Sequence, residues 1–553
     1  MVDESAGPAS GGPLSAGASG QVVGLARPAR VEQHSLSELA ESVGAMLDGP
    51  DTIVTGVSSA SADVQTGDLF AALPGSNAHG VRYAQAALDA GAVAILTDAD
   101  GLALLRSGST GSPARTAVGV IVAEQPRQVL GRLSATVYGD PSRRLPVIGV
   151  TGTSGKTTTT FLVRAGLEAA GRRSGLIGTV GVFLGEESTK TPFTTPEAPQ
   201  LQSLLAVMVE RGLDCVAMEV SSHSLRMGRV DGIEFAVGAF TNLSQDHLDF
   251  HSDMEDYFAA KAMLFDGRSA REIVVIDDEW GRRLVGPGTV TVSATGADAA
   301  WRATDVRVQP DGSTRFTVIG PIGTVQTGCR IPGEYNVANT LLALAILHEA
   351  GIDVAAVAPA VSTAQVRGRM ERVDAGQPFL AVVDYTHKPA GVMGALQALR
   401  PLTSGRLIIV LGCGGDRDRG KRPVMGEVAA RYADVLIVTD DNPRNEDPAV
   451  IREAMLAGAL EVAEDVRAEI SSEADRRAAI TRAIGMARVG DTVLIGGKGH
   501  ETGQEIDGVM LPFDDVTVVR QALESLKQQD FPQSPRDISS VGSRDSGQDV
   551  SQQ

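Results

Sequence analysis

The chain has 553 residues, of which 43% are hydrophobic, 21% charged and only 4% aromatic, with 63 glycines. That length exceeds a single binding module and gives room for three or four domains, each with its own core. Lys and Arg number 49 against 68 Asp and Glu, a formal charge of −19, which excludes nonspecific attraction to nucleic acid or an anionic membrane, so any anionic ligand must be held by local charge.

The start MVDES lacks the basic and apolar regions of a signal peptide, and no apolar run approaches the roughly 18 residues of a membrane span, so a cytoplasmic protein without membrane insertion is expected. Three widely spaced cysteines, Cys215, Cys329 and Cys413, fit reduced thiols better than a disulfide framework or a zinc site. Residues 1–29, rich in Gly, Ala, Ser and Pro, and residues 528–553, rich in Ser, Gln and Asp, read as disordered tails that bury too little apolar surface to offset ordering. Between them short β-branched runs alternate with helical patterns: a strand over 146–150 with a helix from about 157 to 170, then strands over 214–220, 273–276, 406–411, 435–439 and 492–495. The alternation predicts an α/β fold of parallel sheets wrapped by helices. Seams near Gly139 to Ser142 and near Ser362 to Arg369 divide the body into domains over 30–145, 146–367 and 368–527.

The sharpest local motif follows the strand at 146–150: Gly152-Thr153-Ser154-Gly155-Lys156-Thr157-Thr158, a glycine-rich turn opening a helix. Such a turn aims backbone N–H groups at phosphate oxygens, with Lys156 to neutralise charge and the Thr157 hydroxyl available to Mg²⁺. It departs from the general P-loop pattern in having Val150 at the first glycine position. Glu219 ends the next strong apolar run, where it can reach the same Mg²⁺, although a solvated strand-end glutamate would look alike. The run Asp246-His247-Leu248-Asp249-Phe250-His251, followed by Lys261, gathers imidazoles and carboxylates as a metal or phosphate site or a capping network would. Asn336 and Asn339 open an alanine-rich helix starting near Tyr335; Arg367 and Arg369 follow the second seam, and the strand over 379–383 ends in Asp384. In the last third, Asp416-Arg417-Asp418, Asp440 to Arg444 and Gly496 to Glu501 each follow an apolar strand. Three strand ends bearing Asp, Arg, Asn and Glu suit a zwitterion, whose carboxylate pairs with guanidinium and whose ammonium is met by acids.

Taken together, Gly152 to Thr158, Met218 to His223, Thr241 to Asp249, Gly333 to Asn339, Asp384 to Pro389, Asp441 to Arg444 and Gly497 to Glu501 resemble, in order, the motifs of the Mur ligases over about residues 30–527. The resemblance implies a three-domain architecture, with a UDP-MurNAc-binding domain, a central P-loop ATPase domain and a Rossmann-like C-terminal domain that binds the amino acid. It also implies an ATP- and Mg²⁺-dependent amide ligase, monomeric, that joins meso-diaminopimelate to UDP-MurNAc-L-Ala-D-Glu through an acyl phosphate. A lysine-adding sibling, a folylpolyglutamate-synthase-like ligase and a nonenzymatic ATP-binding regulator are the alternatives.

By motif position, the resemblance assigns the ATP phosphates to Gly152, Thr153, Ser154, Gly155, Lys156, Thr157 and Thr158, and the rest of the nucleotide to Asn339, Arg369 and Asp384. Metal ligation falls to Thr157, Glu219 and His247 and to Lys261 as an N6-carboxylysine, with Lys156, Glu219, His247 and Lys261 as the catalytic set. The UDP-MurNAc-dipeptide falls to Ser59, Ser61, Ser76, Asn77 and Ala78 and to Thr194, Thr195, Ser221 and Arg229. The chain departs from the family here, with Ala60-Ser61-Ala62 for Asp-Ser-Arg, and with Phe193 and Met227 where Asn and Gln are common. Diaminopimelate falls to Arg417, Asp441, Asn442, Pro443, Arg444, Gly497 and Glu501, with Arg444 matched to the distal carboxylate that lysine lacks.

Overall fold

The structure is a computed structural model that describes residues 27–75, 78–107, 118–189, 191, 193–248, 250–309 and 312–530. Ser76, Asn77 and Asp249, and residues 1–26 and 531–553 of the expected tails, lie outside the described residues. The chain divides into two compact units, one ending at Glu371 and the other beginning at Arg372.

The first unit holds two large sheets and a two-stranded ribbon of His34–Ser35 with Ile53–Val54. The smaller runs in the order Met46–Asp48, Gly119–Val122, Ala94–Thr97, Asp68–Ala71 and Gly56–Ser58, parallel except at its first strand. Leu36, Leu69, Leu96, Ile121 and Leu133 pack on one face, and Phe70, Ile95 and Val120 on the other. The sequence places 27–29 in a tail, but these residues are anchored. Asp68 is 1% exposed, and its charge is met by Arg27 at 2.8 Å, while the Ala29 N–H donates to Glu210. A carboxylate buried this deeply requires a cation, and Arg27 supplies it.

The larger sheet has eleven strands, with a parallel centre in the order Ser174–Gly178, Cys215–Glu219, Val147–Thr151, Phe235–Phe240, Glu272–Val275, Val290–Ser293 and Trp301–Val308. Antiparallel strands flank it at each edge. Strands covered on both faces must be apolar at every position, which is why Val147–Thr151 and Cys215–Glu219 are buried throughout. Chain order reverses at Val147–Thr151: later strands are added on both of its sides, and the carboxyl ends of such a switch point form a crevice. The helix Lys156–Ala169 leaves that strand and packs against Tyr335–Glu349, eleven of whose residues are buried. The two sheets share this unit because the helix Pro126–Val137 lies on Ala198–Glu210, and Gly131 has no Cβ to collide with the Asp231 carbonyl.

The second unit carries five parallel strands in the order Leu380–Asp384, Thr492–Gly496, Leu407–Leu411, Val435–Val438 and Glu469–Ser472. Arg476, fully buried, meets Asp515 at 2.7 Å and donates to the Gly496 carbonyl at 2.9 Å. It thereby ties the strand Thr492–Gly496 to the helix Asp515–Asp530. That helix runs two residues past the start expected for the C-terminal tail. A hairpin, Gly503–Ile506 with Val509–Pro512, stands apart from the parallel sheet.

Candidate active site

The turn after Val147–Thr151 closes around the Lys156 ammonium, which donates to the Gly152 carbonyl at 2.7 Å and the Thr153 carbonyl at 3.0 Å. Val150 is fully buried in the strand, so the departure at that position lies outside the turn. Gly152 has a φ of 143° and faces the Thr241 hydroxyl where a Cβ would project, so only glycine fits. Asn242, just past the neighbouring strand Phe235–Phe240, fixes the turn: its carbonyl accepts from Thr153 N–H at 2.9 Å and its Oδ1 from Ser154 N–H at 3.1 Å.

Thr157, on the first turn of the helix, donates to Glu219 Oε2 at 2.9 Å. Glu219, 1% exposed, also accepts from the Thr179 N–H at 2.8 Å and hydroxyl at 3.1 Å. Arg369 donates to the Thr157 hydroxyl at 3.3 Å, and Asn339 lies against Gly155 and donates to Asn336 at 2.9 Å. Asp384 ends a strand of the second unit, so it is carried by a different unit from the other nucleotide candidates.

Lys261 is 1% exposed on the helix Met254–Ala262; its Nζ donates to the Gly152 carbonyl at 2.8 Å and sits 4.5 Å from the centre of the Tyr257 ring. His247 is in the left-handed region at φ 53°, its side chain 41% exposed, with its ring 4.9 Å from that of His223. His251 is buried between Ser222 Oγ at 3.0 Å and Asp256 at 3.2 Å, bracing the loop that carries His247. Among the described residues no group of three or more His, Cys, Asp and Glu side chains is gathered to hold a metal. Thr157 and Glu219 nevertheless present a hydroxyl and a carboxylate side by side, hard oxygen donors of the kind Mg²⁺ takes alongside phosphate oxygens and water.

On the other side of Glu219, Thr195 donates to the Glu219 carbonyl at 2.8 Å, and Thr194 shares a hydrogen bond with Thr179 at 3.1 Å. Ser221 caps the short helix Ser222–Arg226. Arg229 pairs with Glu197 at 2.9 Å, stacks over Phe193 at 4.5 Å and reaches Met227 Sδ at 3.6 Å. The departures at Phe193 and Met227 therefore both pack on one arginine. Ser59 lines a cavity of about 290 Å³ with Ser58, Ala62, Gln65 and Ser203; Ser61, which opens the 3-10 turn Ser61–Asp63, is not part of its lining. Ala78 is described next to the isolated bridge between Pro74 and His79.

In the second unit, Asn442 donates to Glu501 at 2.8 Å and accepts from the fully buried Lys498 at 2.9 Å, while Lys498 meets Glu501 at 3.0 Å. Asp441 is 7% exposed and lies where a Cβ on Gly497 would stand. Arg444, at φ 53°, donates to the Gly415 carbonyl at 2.6 Å and faces Glu505 at 3.2 Å. The 442 and 497–501 strand ends thus share hydrogen bonds, whereas Arg417 is exposed and joins them by none. The three cysteines are free and buried. Burial pushes the Cys413 thiol up to about 12, which removes it as a nucleophile.

Family models match in chain order: "Mur ligase family, catalytic domain" over residues 53–138, "Mur ligase middle domain" over 150–347 and "Mur ligase, glutamate ligase domain" over 368–499. A UDP-N-acetylmuramoyl-L-alanyl-D-glutamate–2,6-diaminopimelate ligase of Streptomyces avermitilis is 52% identical over 508 residues, covering 91% of this chain and 98% of its own. The chain belongs to the Mur ligase family. A Corynebacterium efficiens protein of the same name is 48% identical over 504 residues, covering 88% of this chain and 94% of its own. A solved structure of a ligase with that name, 32% identical, superposes with a TM-score of 0.62 over 86% of this chain and 96% of that one.

Within this Mur ligase several residues that shape the site were missed from sequence. Thr179 holds Glu219 from the end of a neighbouring strand, Lys498 sits inside a motif whose flanking residues drew attention, and Glu505 lies on a hairpin with no catalytic motif. Membership of the Gly497 to Glu501 run was the signal available for Lys498. For Thr179 and Glu505 the proximity is tertiary and leaves no local mark.

Proposed function

We propose that the chain is an ATP-dependent ligase that adds meso-2,6-diaminopimelate to the D-glutamate side-chain carboxylate of UDP-MurNAc-L-Ala-D-Glu in peptidoglycan precursor synthesis. The observation that carries this is the 52% identity to a ligase of that name across 91% of the chain. The geometry supplies groups that the chemistry requires.

A carboxylate is a poor electrophile, so it must be converted to an acyl phosphate before an amine can displace phosphate. The backbone N–H groups of the turn at 152–158, the helix N-terminus that follows it and Lys156 would meet the ATP phosphates. Thr157 and Glu219 would hold Mg²⁺, which supplies charge neutralisation at the transferring phosphoryl group. His247 and a carbamylated Lys261 would hold a second ion, the carbamate turning a buried cation into an oxygen ligand. Thr195, bonded to the Glu219 carbonyl, and Thr194, Ser221 and Arg229 are assigned to the sugar-peptide, with Ser221 and Arg229 both bonded to Thr195. Ser59, Ser61, Ser76, Asn77 and Ala78 are assigned to the uridine end.

Asp441, Asn442, Arg444 and Glu501 would offer both charge signs to the acceptor, with Gly497 leaving room beside Asp441 and Arg417 available from the exposed loop. Arg444 can pair with the distal carboxylate of diaminopimelate, which lysine lacks. Arg444→Ala is expected to raise the KM for diaminopimelate at least about tenfold, as loss of a charge-assisted pair does. Steady-state kinetics check this, and an unchanged KM would remove the assignment. A lysine-adding ligase is the second reading; Arg444 disfavours it.

A further inference from the structure

Arg27 and Asp68 do more than neutralise each other, because both also hold the loop that carries Ser59 and Ser61. The guanidinium meets the carboxylate as a fork, Nη1 on Oδ1 at 2.9 Å and Nη2 on Oδ2 at 2.8 Å. Nη1 also donates to the Tyr138 hydroxyl at 2.8 Å, and that hydroxyl accepts from the Val57 N–H at 3.3 Å. Asp68 Oδ2 accepts from the Gln65 N–H at 2.9 Å. Val57 and Gln65, the two ends of the loop, are thus held by one buried cluster, with Tyr138 6% exposed and Asp68 1%. Gly56 leaves the space this cluster needs, since a Cβ there would collide with both Asp68 Oδ1 and Arg27 Nη1. Residues 58–65 include no Lys or Arg, and Ala62 stands where the family pattern has arginine, so the loop brings no cation of its own. Arg27 reaches it from a segment pinned elsewhere: the Ala29 and Arg30 N–H groups donate to one carboxylate, Glu210, at 3.0 and 3.2 Å. Glu210 ends the helix Ala198–Glu210, whose Pro199, Gln200 and Ser203 line the same cavity as Ser59 and Arg27.

Resting on the assignment of Ser59 and Ser61 to the uridine end, we propose that Arg27 is a positioning residue for the nucleotide-sugar: through Asp68 and Tyr138 it fixes the loop 57–65 in the shape that binds UDP-MurNAc-L-Ala-D-Glu. A buried carboxylate without its cation takes up a proton or draws in water, and either change weakens its hold on the Gln65 N–H. Loss of the guanidinium also frees the Tyr138 hydroxyl, the anchor of Val57. The loop then has to be ordered when the nucleotide arrives, and that ordering is subtracted from the binding free energy. ATP and the acceptor are assigned to other elements, the turn at 152–158 and the second unit, so the effect is confined to one substrate. A segment outside the span 53–138 of the first family model thereby becomes part of the nucleotide-sugar site.

Steady-state kinetics with each substrate varied in turn test this in the full chain, comparing the unaltered enzyme with Arg27→Ala, Arg27→Lys, Asp68→Asn and the double variant Arg27→Ala/Asp68→Asn. Arg27→Ala is expected to raise the KM for UDP-MurNAc-L-Ala-D-Glu about tenfold, with kcat and the KM values for ATP and diaminopimelate within about twofold. Arg27→Lys keeps the cation without the fork and is expected to show a smaller rise, about threefold; it carries the comparison if Arg27→Ala does not fold. Because Arg27 acts through Asp68, the double variant is expected to match the worse single variant rather than multiply the two effects. Multiplied effects would make Arg27 a direct substrate contact and overturn the positioning role. So would an unchanged KM for the nucleotide-dipeptide, or a fall in kcat with all three KM values raised together, which marks general damage to the fold. Each of these results leaves the parent reading intact. Absence of turnover of UDP-MurNAc-L-Ala-D-Glu by the unaltered enzyme overturns the parent reading and this role with it.

Discussion

Glu446 shows how a single carboxylate organises one of the acceptor loops. Arg422, only 2% exposed, meets both of its oxygens, at 2.8 and 3.1 Å; the Asp416 N–H donates to it at 2.6 Å, and Arg419 lies 3.2 Å away. The Arg422 hydrogen bonds, followed by the Asp416 N–H, hold its carboxyl down to about 2, from an ordinary 4.5. A depressed folded-state pKa means a contribution to stability that is complete above about 4.5 and is lost as pH falls towards about 2. Glu446→Gln should therefore melt below the unaltered protein at neutral pH, and the gap should close across that acid window. Differential scanning fluorimetry over pH 7 to 2.5 checks this; a gap independent of pH would show that the charge on Glu446 does not matter.

At this scale the sequence showed residue types whose chemistry stands out in a motif, such as Lys156, Glu219 and Arg444. It hid those whose role is created by a partner distant in the chain, such as Thr179 against Glu219 or Arg27 against Asp68. Lys261 is the extreme case, since its place over Tyr257 and on the Gly152 carbonyl is settled by packing of a different helix.

At the scale of elements, the parallel strands were legible because burial on both faces forces unbroken apolar runs, and Val147–Thr151, Cys215–Glu219 and Leu407–Leu411 all carry that mark. The hairpin Gly503–Ile506 and Val509–Pro512 did not stand out. Val509, Met510 and Leu511 are exposed, at 57%, 63% and 46%, so no alternation of buried and exposed positions marks the second strand. The helix Met254–Ala262 delivers its lysine to the phosphate turn, and the proposed carbamate belongs to this element. Intact-mass measurement in bicarbonate is expected to find one added carboxyl group, absent in Lys261→Ala, which should lose activity. An unmodified mass together with a fully active Lys261→Ala would refute it.

Over the whole molecule, the strongly acidic composition excluded bulk attraction to polyanions, yet the substrates proposed for this ligase are themselves polyanionic. Local placement resolves this. Lys156, Arg229 and Arg369 gather around the carboxyl ends of the central strands, and Arg444 stands at a strand end of the second unit. The order of motifs made the family and its α/β class legible. The joining of the first two sheets into one unit was not, because it depends on Gly131 admitting the Asp231 carbonyl, a contact across a hundred residues. Among the described residues no helix is long and apolar enough to cross a membrane. The central claim is a choice of acceptor, and phosphate release tests it most directly, with UDP-MurNAc-L-Ala-D-Glu and ATP supplied and meso-diaminopimelate compared with L-lysine. Release that depends on diaminopimelate, with lysine giving less than about one hundredth of the rate, is the predicted result. Release with lysine alone, or with neither acceptor, would contradict it.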